Sequence, residues 1–268
     1  MTSTPIETST NTPAARAAQL VAGSHVVMEG AGVPVRRVLP SREVPYRLVD
    51  PYLLLDEFRM ESFGGGESFP PHPHRGFEII TYMLQGTGHH TDSEGNAGAV
   101  RAGGLQRITA GRGIWHGEGG GEGPPGPVHG LQLWINLAQA QKRIPPGYQA
   151  VQAEEIPEQT VGDARVRVLV GEGSPTRLQT PALYLDVQVP PQGHTAIAVP
   201  EGFQGFAYVM EGDGRFGSTG AAASAGQIVV LGPGGPFAAA GGPRGVRFVL
   251  AAGAPHREPV RFNGPFVD

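Results

Sequence analysis

The sequence predicts an all-β protein built from two β-barrel or β-sandwich domains in tandem. Three observations predict it. Gly (42) and Pro (26) make up about a quarter of the 268 residues and punctuate short apolar runs at intervals. Many short strands joined by Gly/Pro turns are what sandwiches and barrels look like in sequence. The runs themselves alternate polar and apolar residues with the period of a strand, most clearly in His129-Gly-Leu-Gln-Leu-Trp-Ile-Asn-Leu137 and Arg165-Val-Arg-Val-Leu-Val170. Finally, the second half echoes the first: Tyr82-Met-Leu-Gln-Gly86 is matched by Tyr208-Val-Met-Glu-Gly212, which points to an internal duplication.

Taken in order, residues 1–23 are rich in Ser, Thr, Ala and Pro and are expected to form a flexible tail, with a short helical turn over Pro13–Val21. A first domain is expected over 24–145. Its strands begin with His25–Met28, Val33–Val38 and Tyr52–Phe58, and a loop from Glu61 to Pro71 carries Gly64, Gly65 and Gly66. Phe77–Leu84 is a strand, and His89–Asn96 supplies the Asp, Ser, Gly and Asn of a hairpin. Leu105–Thr109, Trp115–Glu118 and His129–Leu137 complete the set, with a Gly/Pro-rich surface loop at Gly117–Pro127 and a short helix or crossover at Ala138–Pro146. The second domain, 146–268, carries strands at Arg165–Val170, Leu183–Val189, Thr195–Pro200, Gly205–Gly212, Gln227–Leu231 and Val246–Ala251.

Composition narrows the function. A net charge of −4 lacks the basic excess of a nucleic-acid binder, so no direct nucleic-acid contact is expected. The absence of cysteine removes disulfides, thiolate ligands and a cysteine nucleophile. No run of about 18 apolar residues predicts a membrane span, and no basic stretch followed by an apolar core marks a secretory signal. A cytoplasmic location is the expectation.

The chemistry is concentrated between Gly66 and Glu118. Pro71-His72-Pro-His74-Arg-Gly-Phe-Glu78 is followed by Ala110-Gly-Arg-Gly-Ile-Trp-His116-Gly-Glu118. Side chains two apart on a strand share a face, so His72 pairs with His74 and His116 with Glu118. If the two strands meet inside a barrel, three imidazoles and a carboxylate converge. Such a nitrogen and oxygen set suits Fe(II), Mn(II), Ni(II), Cu(II) or Zn(II). Four protein ligands on an octahedral ion leave two positions for water, a chelating oxygen substrate or dioxygen. Lone His-x-His pairs occur by chance; it is the second pair and the glycine punctuation that make this one specific.

These residues resemble the pirin family of bicupins. The resemblance is carried by Pro51-Tyr-Leu-Leu-Leu-Asp-Glu-Phe58, the His72–Glu78 and Thr109–Glu118 motifs, Asp92-Ser-Glu-Gly-Asn96, Gln132-Leu-Trp-Ile-Asn-Leu137 and the late Gly264-Pro-Phe-Val267. It is most specific over 51–137. It implies two tandem cupin jelly-roll domains packed face to face. It also implies one iron, Fe(II)/Fe(III), held in the first domain by His72, His74, His116 and Glu118, and either a quercetin 2,3-dioxygenase-like activity on a flavonol-like aromatic or a regulatory role through a protein partner. Arg107-Ile108 stands where the family usually has Trp-Met, and Gly117 replaces a small residue, commonly Ser; neither is a ligand position.

Other residues are candidates for the same site. Glu78 is expected as an acceptor for a ligating histidine, with ligand or general base as alternatives, and Glu118 or Glu78 would take a substrate hydroxyl proton. His89 and His90 sit beside a hairpin turn, where solvent is their expected surrounding. His129 either lines the pocket or belongs to its rim or core, and Gln132 and Trp134 share a face that can border it. Arg75 and Arg107 either attract an anionic substrate or make ion pairs. The second half has no ligand set: Val199-Pro-Glu-Gly202 stands where the first half has its histidines, so that domain is expected to be metal-free.

Overall fold

A computed structural model describes residues 14–61, 68–119 and 126–268. Residues 1–13, Gly66 and the loop glycines beside it, and most of the Gly117–Pro127 loop lie outside the described residues. The expected all-β architecture forms, and among the described residues its helical content is three short 3-10 turns. Among the described residues, no helix is long and apolar enough to cross a membrane.

The first domain is a sandwich of two antiparallel sheets. A seven-stranded sheet runs in the order Gly147–Val151, Leu105–Thr109, Phe77–Gln85, Val128–Asn136, Tyr52–Met60, Val33–Leu39, His25–Glu29. A four-stranded sheet runs Phe69–His74, Ile114–Gly119, Thr87–Asp92, Ala97–Arg101. The second domain is a nine-stranded sheet that curls on itself through two long strands, Gln204–Phe216 and Phe237–Gly253.

Alternation decides which side chains serve which purpose. On Phe77–Gln85, Ile80 and Tyr82 join a cluster shared with Tyr184, Phe206, Tyr208 and Val249 of the second domain. Phe77 and Ile79, on the opposite face, pack inside the first. The largest apolar cluster is therefore the seam between the domains, and the two broad sheets lie face to face across it. Removing this apolar area from water is the main force holding them together. Polar ties fix the register: Tyr82 donates to Asp186 at 2.8 Å, and Tyr208 donates to Glu57 at 2.6 Å. Each is a buried polar group satisfied by the opposite domain, as burial requires.

The expected boundaries need two corrections. Ala18–Gly23 is a strand, not flexible tail or helical turn, and it pairs with Gln227–Leu231 in the second domain's sheet. Gly147–Val151, expected beyond the 145/146 boundary, pairs with Leu105–Thr109 in the first. The physical reason is the sheet edge: an unpaired row of N–H and C=O groups is satisfied by whichever strand the chain can bring to it. A short segment carries too little periodicity to announce that role.

Arg16 anchors the N-terminal crossing. It is buried, and its guanidinium donates to the carbonyls of Gly235, Phe203, Gly232 and Pro200 at 2.8–3.0 Å. Arg16→Met keeps the bulk and leaves four carbonyls without that donor. It should destabilise the protein by about 3 kcal/mol, read as a lower urea midpoint at unchanged slope.

Candidate metal centre

The ligand motifs fold onto adjacent strands of the small sheet. Phe69–His74 pairs antiparallel with Ile114–Gly119, in a register that sets His72 opposite His116 and His74 opposite Ile114. The ladder shifts between His116 and Glu118, so an irregularity sits within the second pair itself.

One nitrogen from each of His72, His74 and His116 lies within 4.8 Å of the others. Their ring centroids are 4.4–5.0 Å apart. A second trio, His90, His116 and Glu118, meets the same limit and shares His116 with the first. Among the described residues, both trios lie in the first domain. Of the four residues expected as ligands, His72, His74 and His116 form one trio, whereas Glu118 falls in the other, with His116 and with His90, which the sequence reading placed in solvent. That imidazole is buried, stacks on Tyr148 with 4.3 Å between centroids, and shares a hydrogen bond with Asp92 through Nε2 at 3.0 Å. The signal was present as His90-x-Asp92: two residues apart on one strand face, the spacing already used for the other pairs.

Burial decides the protonation of the centre. It pushes both His74 and His116 down to about 3, with neighbouring imidazoles adding to the effect: His116 and His72 on His74, and His72 and His90 on His116. Both rings are therefore neutral at pH 7 and offer lone pairs, the form in which imidazole binds metal. His116 is 1% exposed, yet neither of its nitrogens has a hydrogen-bond partner, and Nδ1 of His90 also lacks one. Buried polar atoms without partners are rare and costly. An ion among these nitrogens supplies the missing partner, so the donor set fits a divalent metal.

Glu118 is held from three sides. Thr81 donates to Oε1 at 3.2 Å, Gln106 donates a short bond to the same oxygen, and Gln132 donates to Oε2 at 2.9 Å. Each amide is oriented in turn, because Tyr148 donates to the Gln106 carbonyl and Trp134 to that of Gln132. The carboxylate is fixed by a frame of neutral donors from strands of the large sheet, a supporting arrangement typical of ligating groups.

Glu78 does not belong to the centre. Strand alternation turns it, like Ile80 and Tyr82, toward the second domain. There it accepts from Thr109 at 2.7 Å and from the backbone N–H of Gln179 at 2.8 Å. Burial raises its pKa and these bonds oppose the rise. It is fully buried and ties the domains together; the expected roles of acceptor for a ligating histidine, ligand or base do not fit its position. His129 likewise faces the seam, at 2.7 Å from Glu57. Arg75 pairs with Asp268 and Arg107 donates to Thr109, while the Nε of each is buried without a hydrogen-bond partner.

A cavity of about 690 Å³ opens beside the ligands. His72, His74 and Glu118 reach it from one side, and Leu53, Leu54, Phe58, Met83 and Trp134 give it mostly apolar walls.

Comparison with known proteins follows the same division of the chain. The Pirin family model matches residues 32–135, and the model for the pirin C-terminal cupin domain matches 184–268. A pirin-like protein of Arabidopsis thaliana is 42% identical over 252 residues, covering 89% of this chain and 80% of that protein. Human pirin is 40% identical over 247 residues, covering 89% and 83%. Among solved structures, a quercetin 2,3-dioxygenase from Acinetobacter baumannii superposes with a TM-score of 0.84 at 28% identity, covering 95% of this chain and 92% of that one. A bacterial pirin from Escherichia coli, solved in complex with nickel(II), shares the fold with a TM-score of 0.66 at 20% identity, covering 91% and 99%.

Proposed function

The chain belongs to the pirin family, and from that premise we propose that its first domain holds one divalent ion, iron in the resting protein, between His72, His74, His116 and Glu118, and that it oxidises a flavonol-like aromatic in the manner of a quercetin 2,3-dioxygenase. The observation that supports this most is His116, buried with both ring nitrogens unpartnered and shared by two trios of possible ligands. Mn, Ni, Cu and Zn suit the same donors, so the ion's identity is part of the test. When bound, the ion supplies a Lewis acid and a redox centre at the cavity wall.

The chain's own residues do the rest. The cavity is of the size that takes a drug-sized ligand, and its apolar walls exclude water from an aromatic ring. Glu118, fixed by Thr81, Gln106 and Gln132, accepts the proton of a substrate hydroxyl directed at the ligand cluster. His72, which bonds Pro70 O at 2.8 Å through Nδ1, keeps Nε2 free. The likeness to the Acinetobacter baumannii enzyme supports the choice of substrate class.

The experiment is anaerobic mixing of the iron-loaded protein with quercetin, then admission of air. A shift of the flavonol absorbance without oxygen, and release of carbon monoxide with it, are the expected results. No shift and no carbon monoxide from a sample with a full complement of iron would sink the proposal.

A second function, a metal-dependent regulator that binds a protein partner, is favoured by one observation. Trp115, next to His116 in the chain, is 55% exposed. Large exposed aromatics are the anchors of protein interfaces. Trp115→Ala should then abolish partner capture while leaving quercetin turnover intact.

A further inference from the structure

The last residues of the chain return to the first domain. Phe262–Asn263 and Phe266–Val267 form a small hairpin, and Phe262, Gly264 and Pro265 line the cavity beside the candidate ligands. The segment is fastened at several points. The Val267 N–H donates to Arg75 O at 2.9 Å, and Val267 is fully buried in the cluster that holds Phe77 and Ile79. Arg75 pairs with Asp268 at 2.8 Å and lies over the Phe266 ring, 5.1 Å from its centroid. Lys142, itself buried, donates to Val267 O, Gly76 O and Asn136 Oδ1 at 3.1, 3.0 and 2.8 Å.

Two residues of the ligand region make sense through this docking. Gly76 adopts φ +89°, and a Cβ there would collide with the Val267 carbonyl oxygen. Lys142 is a buried cation, costly to place unless its ammonium is bonded, and one of its three acceptors is the Val267 carbonyl of this segment. Neither touches a candidate ligand; both hold the segment that does. The carbonyl of Pro265 lies 3.4 Å from Nδ1 of His74. His72 finds a carbonyl two residues away, at Pro70, but His74 finds one 191 residues away in sequence.

We propose that residues 262–268 are a positioning part of the metal centre: the Pro265 carbonyl holds the proton on Nδ1 of His74 and so presents Nε2 to the ion, with Lys142 and Gly76 as the anchor. The step from ring orientation to ion retention rests on the metal-binding function proposed above; the orientation itself does not. A carbonyl that receives the second N–H of a ligating histidine fixes the tautomer and the aim of the ring, and loss of such a partner costs 10–100-fold in metal affinity.

The test uses two full-length variants that undo the docking without touching a ligand: Lys142→Met and Val267→Asp. Two measurements are made. In metal-free protein, ¹⁵N NMR of the imidazoles reads the tautomer of His74; the wild type should show the proton on Nδ1, and both variants a mixture. In nickel-loaded protein, release to a chelator should be about 10–100-fold faster in both variants. Unchanged tautomer and unchanged release in a variant whose far-UV spectrum is native would overturn the proposal. If Val267→Asp does not fold, Lys142→Met alone decides by the same two measurements. A wild type that takes up no ion counts against the metal function only, since the NMR arm still decides the tail.

Discussion

His116→Ala is expected to leave the purified protein without its ion and without quercetin turnover. His116 is the side chain common to both trios of donors, so its loss breaks each of them at once. The loss in affinity should exceed the 10–100-fold typical of removing an outer hydrogen-bond partner, because a ligand itself is gone. Metal analysis after dialysis checks it: near-stoichiometric ion in the wild type and less than about a tenth of that in the variant. The fold should survive, because the substitution also removes two buried nitrogens that have no hydrogen-bond partner in the metal-free protein. That separates it from Arg16→Met, which removes bonds the fold uses. Glu118→Gln offers a contrast. It keeps an oxygen in place but cannot take a proton, so the ion should be held more weakly while turnover falls much further. Equal loss of ion in Glu118→Gln and His116→Ala would show that the carboxylate acts chiefly as a ligand, and not as the base.

What the chain disclosed in sequence was whatever depends on local period. Strand alternation is a property of neighbouring residues, so the all-β class, the nearness of His72 and His74 and the cavity-lining Gln132 and Trp134 were legible, whereas the ladder irregularity between His116 and Glu118 was not. The same rule, applied strictly, would have separated Glu78 from the site: it shares its strand face with Ile80 and Tyr82, which pack against the second domain, and not with Thr81, which bonds Glu118. His90 was obscured by the turn residues after it, although the hairpin that begins there is what carries it into the cluster. Three features depend on contacts across more than a hundred residues and have no local signature. These are the strand Ala18–Gly23 in the second domain's sheet, the Gln179 N–H that meets Glu78, and the Pro265 carbonyl at His74. The Gly264-Pro-Phe-Val267 motif could be recognised as part of a family pattern, but its partner could not be read from it.

Acid should destabilise the metal-free protein sharply, and the ion should blunt the effect. Burial pushes His74 and His116 down to about 3, whereas in the unfolded chain a histidine titrates near 6.5. The folded pKa is the depressed one. Between pH 6.5 and 3 the unfolded state therefore binds protons that the native state refuses, and stability falls as pH falls. It is fully present above about pH 6.5 and erodes through the window below. Each pH unit inside that window costs about 1.4 kcal/mol per imidazole. For two rings the loss between pH 6.5 and 5 amounts to about 3 kcal/mol, a large share of the 5–15 kcal/mol typical of a domain. Urea midpoints of the metal-free protein across that range should drop accordingly. His116→Ala should halve the slope, because one of the two refusing groups is gone. A bound ion occupies the lone pairs that protons would otherwise take, and it binds the native state alone, so the loaded protein should hold its midpoint to lower pH until protons displace the metal. Midpoints that are flat from pH 6.5 to 5 in the metal-free protein would mean that these imidazoles are hydrated, and that the ligand cluster is more open than its burial indicates.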